Sequence, residues 1–166
     1  VARQLPHPHA GRPGGRQRDR DPGLAIEVQP DGAALLTGPG AACRENADGY
    51  LEGPPELVCE VASSSVSLDL HAKRRDYERA GVPEYLVLQV AEQRALWFVR
   101  EPENAPAGRF VEQPAGPDGL LRSRVLPGLW LDAAALFAGD PARLDEALRL
   151  GLASPEHQAF VRSRKA

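Results

Sequence analysis

Hydrophobic runs along the 166 residues are short, separated by turn residues, and change period along the chain. Leu24-Ala25-Ile26-Glu27-Val28 and Ala33-Ala34-Leu35-Leu36 flank Pro30-Asp31-Gly32, and Thr37 to Gly49 is rich in glycine, proline and asparagine, as loops are. Leu57-Val58-Cys59-Glu60-Val61 reads as a buried strand with one charge inside it, broken by Ser63-Ser64-Ser65. Asp69 to Ala80 predicts a helix, closed by Gly81 and by Pro83 just beyond it. Glu84 to Val90 and Ala95 to Val99 form a predicted hairpin joined by a short polar turn. Arg109-Phe110-Val111 and Leu120-Leu121 read as edge strands on either side of Pro117-Asp118-Gly119. Three short helices close the pattern: one capped by Asp132 and ending near Gly139, one opened by Asp140-Pro141 and running to Leu150, and one opened by Ser154-Pro155. Strand, strand, helix, strand, strand predicts an α/β (α+β) domain, a mixed central sheet with flanking helices and one crossover helix between Val61 and Tyr85.

Residues 1–23 break this regularity with four prolines, four glycines and five arginines, and read as a disordered tail preceding one domain over 24–166. The stretch is a basic arm able to touch phosphates, or a disordered end; His7 and His9 in so loose a setting make a poor metal site. It has no apolar core, so it is not a signal peptide. The chain has no methionine, even at position 1, as a fragment or an unusual start codon would give. No run approaches the ~18 apolar residues of a membrane span. Two cysteines, Cys43 and Cys59, make neither a disulfide scaffold nor a four-ligand zinc site. Formal net charge is −3. The expectation is a soluble, cytoplasmic domain.

Three residues do not suit a core. Burying an unpaired carboxylate costs several kcal/mol, so Glu60 is protonated, paired with a cation or bound to a metal. Alternation puts Glu56, Val58, Glu60 and Ala62 on one face, with Glu56 at the start of the strand and expected in solvent. Asp31 sits in Pro30-Asp31-Gly32, a common turn signature that needs no further role. Lys73 is one of only two lysines among the 20 basic residues, in a helix whose other cations are Arg74, Arg75 and Arg79. It stacks with Asp69 and Tyr77 at four-residue intervals, which also allows a plain surface pair with Asp69. Lysine is a compact charge able to hold a water or give up its proton.

Pro30-Asp31, Pro55-Glu56-Leu57-Val58-Cys59-Glu60-Val61-Ala62-Ser63-Ser64-Ser65, Asp69 with Lys73 and Tyr77, and Ala80-Gly81-Val82-Pro83-Glu84-Tyr85-Leu86-Val87 follow one another in a known order and spacing. The pattern resembles the Uma-two restriction endonuclease family of the PD-(D/E)XK nuclease superfamily. Ser123-Arg124-Val125-Leu126-Pro127-Gly128-Leu129-Trp130-Leu131 is similar to that family's C-terminal signature, so the likeness runs roughly from Ile26 to Phe160.

The resemblance implies a restriction-endonuclease-like fold and metal-dependent hydrolysis of DNA. Asp31 and Glu60 would hold Mg²⁺ (or Mn²⁺), with the backbone carbonyl of Val61 as a further ligand. Lys73 would assist water attack and steady transition-state charge, with Asp69, Tyr77 and Gln89 in supporting or substrate-positioning roles. The lysine usual two places after the acid is absent, since Ala62 stands there, and Lys73 from the following helix takes its place. Double-strand cutting would favour a homodimer. Family members carry a helix and strands before the Pro-Asp element. The arginine-rich stretch in their place raises the rival expectation of a truncated, inactive nuclease-fold remnant acting as a binding or interaction module. A small-molecule hydrolase lacks any nucleophile motif.

Overall fold

An interior strand forms because Leu57-Val58-Cys59-Glu60-Val61-Ala62 offers side chains that two different layers can bury. A computed structural model describes residues 30–38, 41–47, 49, 51–62, 67–101 and 108–165, with the side chains of Leu51 and of residues 67–70 excepted. The expected tail over 1–23, the run Leu24–Val28 and the serine triplet lie outside the described residues. Among those described, the elements run β1 (Gly32–Ala34), β2 (Arg44–Glu45), β3 (Leu51–Glu52), β4 (Leu57–Ala62), α1 (Ser67–Ala80), β5 (Glu84–Gln89) and β6 (Arg94–Glu101). β7 (Arg109–Gln113), β8 (Leu120–Arg122), β9 (Trp130–Asp132), α2 (Ala133–Ala138), α3 (Pro141–Leu152) and α4 (Pro155–Ser163) follow.

A five-stranded mixed sheet has the order β1-β4-β5-β6-β7. β4 and β5 are parallel, with Glu60 beside Val87 and Ala62 beside Gln89. Parallel neighbours require a crossover, which α1 provides. The other three pairings are antiparallel. One face of the sheet gathers Val58, Tyr85, Val87, Phe98 and Phe110 around Tyr77 and Val82. Leu57, Leu86, Trp97 and Val99 on the opposite face meet Leu121, with Leu126, Leu129, Leu131 and Ala133 packed around them.

Among the described side chains of α1, Tyr77 and Ala80 pack on the sheet's core, and polar ties supplement them. The Arg74 guanidinium lies 4.4 Å from the Phe98 ring centroid and donates to the Phe110 carbonyl. One turn on, Glu78 Oε1 accepts from the Phe110 amide at 2.8 Å. The helix is thereby held on β7, three strands away from the strand it follows.

The expected capping residues are in place. Asp132, Asp140 and Ser154 each accept from the amide three residues on, and Gly139 closes α2 in the left-handed region at φ 67°. α1 begins at Ser67, two residues before the expected Asp69, and the expected loop Thr37–Gly49 contains β2. β8 is no edge of the main sheet: it pairs with β9 in a separate ribbon, while β7 alone forms that edge. The Pro117-Asp118-Gly119 turn therefore moves the chain between layers instead of closing a hairpin. Glu56 is not solvated either: it is 8% exposed, and its Oε2 accepts from the Leu36 amide at 2.7 Å.

Candidate active site

Glu60 lies in β4 on the face covered by α1, and only 3% of it is exposed. Its two oxygens meet two residues of α1 separated by one helical turn. Lys73 Nζ donates to Oε2 at 2.7 Å, and the Tyr77 hydroxyl donates to Oε1 at 2.5 Å. A charge that would be costly to bury alone is thus both paired and hydrogen-bonded. The four-residue interval sets this geometry, because side chains at i and i+4 lie one above the other. The plain surface pair of Lys73 with Asp69 that the spacing allows falls on a side chain outside the described residues, while the bond of Lys73 to Glu60 is in place. Asp69 stands in the first turn of α1.

Asp31 reaches the same strand end from the other side. β1 is antiparallel to β4 with Gly32 opposite Cys59, so one further step of that register brings Asp31 beside Glu60. β1 stops at Gly32, and the Asp31 side chain continues the ladder in its place, Oδ2 accepting from the Val61 amide at 2.8 Å. In a parallel ladder alternate residues turn their backbone groups to opposite neighbours. The Ala62 carbonyl accepts from Val90 on the β5 side, so the Val61 carbonyl faces the β1 side with Asp31.

Electrostatics register this convergence. Burial, then the charges of Glu60 and Asp31, push the Cys59 thiol up to about 11. Tyr77 is raised beyond the ordinary phenol range, first by burial and then by its hydrogen bond to Glu60, so it stays a proton donor. Gln89 is half-buried and shares the α1 face, in register with Ala62 two residues beyond Glu60.

Among the described residues no group of three or more His, Cys, Asp or Glu side chains could hold a metal ion. The expected donor set contains only two such side chains, with a backbone carbonyl as the third. Two carboxylates and a carbonyl are all hard oxygen donors, the kind Mg²⁺ and Mn²⁺ take, so the residues present fit a divalent ion of that class.

Another buried carboxylate, Glu84, lies away from this centre. Glu84 is 1% exposed on the opposite face of the sheet. Oε2 accepts from Trp97 Nε1 at 3.1 Å and Ser123 Oγ at 2.7 Å; Oε1 accepts from the amides of Arg124 at 2.6 Å and Val125 at 3.2 Å. Burial pushes its carboxyl up, opposed by these hydrogen bonds. Sequence reasoning passed over Glu84 as the start of a strand. The signal was the one that exposed Glu60, a carboxylate against an apolar run.

The five-stranded mixed sheet with its crossover helix is a restriction-endonuclease-like fold, and on it Asp31 bonds the Val61 amide of β4 while Lys73 of α1 bonds the neighbouring Glu60. The chain belongs to the Uma2 family, described as "Putative restriction endonuclease", which it matches over residues 1–134, within the PD-(D/E)XK superfamily. The match starts earlier than the expected Ile26, takes in the arginine-rich stretch and ends within α2, leaving α3 and α4 outside it. No curated protein matches the chain.

Proposed function

We propose that the protein is a divalent-metal-dependent endonuclease that hydrolyses phosphodiester bonds in DNA. The observation that carries this reading is the junction of Glu60, Asp31 and Lys73 at one strand end. Lys73 bonds Glu60 at 2.7 Å, and Asp31 bonds the very next amide at 2.8 Å. Asp31, Glu60 and the Val61 carbonyl would hold Mg²⁺ or Mn²⁺. When bound, such an ion supplies an activated water at neutral pH and neutralises charge on the phosphate.

The chain's own residues divide the remaining work. Tyr77 fixes the Glu60 carboxylate from below through Oε1. Lys73, with 31% of its side chain exposed, is the cation able to reach a phosphate oxygen or the attacking water. Asp69 and Gln89 flank this centre on α1 and β5 as substrate-positioning residues. No described helix is long and apolar enough to cross a membrane.

The test is cleavage of plasmid and single-stranded DNA with Mg²⁺ or Mn²⁺, with Glu60→Ala as control. The expected result is metal-dependent nicking that falls at least about a hundredfold in the variant, the scale on which removal of a charge-stabilising group acts. A folded wild-type chain that cuts with neither metal would instead favour the inactive remnant serving as a binding module.

A further inference from the structure

The two groups that hold Glu60 are unequal. Tyr77 is 1% exposed and built into the core, whereas the Lys73 side chain is 31% exposed on a flexible four-carbon stem. One partner is fixed in the core; the other reaches Glu60 from the solvent-exposed side on its flexible stem. Oε1 belongs to the fixed partner, and Oε2 to the flexible one.

Glu60 needs a cation wherever it is ionised in this interior, because an uncompensated buried charge is strongly destabilising. Lys73 is that cation in the structure. Any divalent ion held by Glu60 would enter the same few ångströms as the ammonium and repel it. We propose that Lys73 is a resident counter-ion which competes with the divalent metal for Glu60, so that metal binding releases its ammonium from Oε2. The proposal rests on the metal-site reading above and adds a regulatory consequence. Without metal the carboxylate is closed by its own lysine. Metal arrival and delivery of the lysine charge to the phosphate then become one event.

The test is Mn²⁺ binding to the full chain by calorimetry, without nucleic acid, for wild type, Lys73→Met, Lys73→Arg and Glu60→Gln. Removing a cation beside a cation site should tighten binding by about tenfold or more in Lys73→Met. Lys73→Arg should stay close to wild type. The metal-free Lys73→Met chain should melt lower than wild type, and Mn²⁺ should raise its melting temperature more. A wild type that binds Mn²⁺ while Lys73→Met binds equally or more weakly overturns the competition and leaves the metal site standing. If neither wild type nor Lys73→Met binds Mn²⁺, the metal site itself is wrong.

Should Lys73→Met fail to fold, wild type suffices, since the chain's only other lysine, Lys165, lies beyond α4. With lysine labelled by ¹³C and ¹⁵N, a Mg²⁺ titration should shift the Lys73 side-chain resonances with the midpoint of metal binding and leave Lys165 as the reference. Saturation with Mg²⁺ and an unchanged Lys73 signal would overturn the proposal.

Discussion

Cys59 shows how burial, and after it the two nearby carboxylates, act on a neighbouring side chain. It sits in β4 immediately before Glu60, half-buried on the opposite face, and its thiol is pushed from an ordinary 9.0 up to about 11. Alkylation by iodoacetamide, which requires the thiolate, should therefore be slow at pH 8 and rise as pH passes through about 11. Peptide mapping separates Cys59 from Cys43, and Glu60→Gln should bring the midpoint down. A Cys59 thiol titrating near 9.0 in the folded chain would contradict first its burial and then the placement of the two charges. The sign for stability follows. The folded state holds this proton more tightly than the unfolded chain, so the contribution is complete below pH 9.0 and lost as pH rises through about 11. At this scale the sequence was a fair guide where a residue violated its setting. Glu60 and Lys73 stood out by chemistry and by scarcity. Asp31 did not, because a turn explains it locally, and its partner amide is 30 residues away. Glu56 misled, since a strand's first residue is exposed only if nothing folds over it, and the Leu36 amide does.

Whole elements were legible where their signals are local. Caps, the crossover helix and the β5–β6 hairpin depend on residues a few places apart, and each was found close to its place. β8 was misplaced because nothing nearby states which layer a three-residue strand will join. That choice is made by Glu84, which takes the Ser123 hydroxyl and the Arg124 and Val125 amides from a segment about 40 residues on. All four of its partners are donors, which a carboxylate can satisfy and an amide cannot. Glu84→Gln turns an NH₂ towards Trp97 Nε1 or towards the backbone amides, leaving a buried donor without an acceptor. Urea denaturation should show a loss of about 1–3 kcal/mol, the cost of such an orphaned group. A change below about 0.5 kcal/mol, the range of ordinary surface substitutions, would mean that the β8–β9 layer is held by its apolar contacts alone. The close seating of α3 belongs to the same layer. A Cβ added at Gly151 would fall 2.2 Å from the Gly128 carbonyl oxygen, so only glycine lets this helix lie on the Pro127-Gly128 turn.

Across the whole molecule, the architecture follows from one parallel pairing. β4 and β5 side by side demand a helix over the sheet, and that helix carries the lysine and tyrosine that meet Glu60. The mixed sheet could be read from the order of elements. So could the three short helices that close the chain, but not the separate β8–β9 ribbon, since tertiary packing sets it. Sequence separations within the site also give it a history. Lys73 and Tyr77 lie 13 and 17 residues from Glu60, whereas Asp31 reaches Val61 across 30. Shorter loops close at lower entropic cost, and the crossover brings Lys73 and Tyr77 along as part of its own docking. In pulse-labelled hydrogen exchange during refolding, the Val61 amide, guarded by the Asp31 side chain, should gain protection after the amides of the β5–β6 hairpin. Simultaneous protection would refute that order. A chain emerging from denaturant thus neutralises its buried acid with a lysine first, and only afterwards brings the second carboxylate alongside.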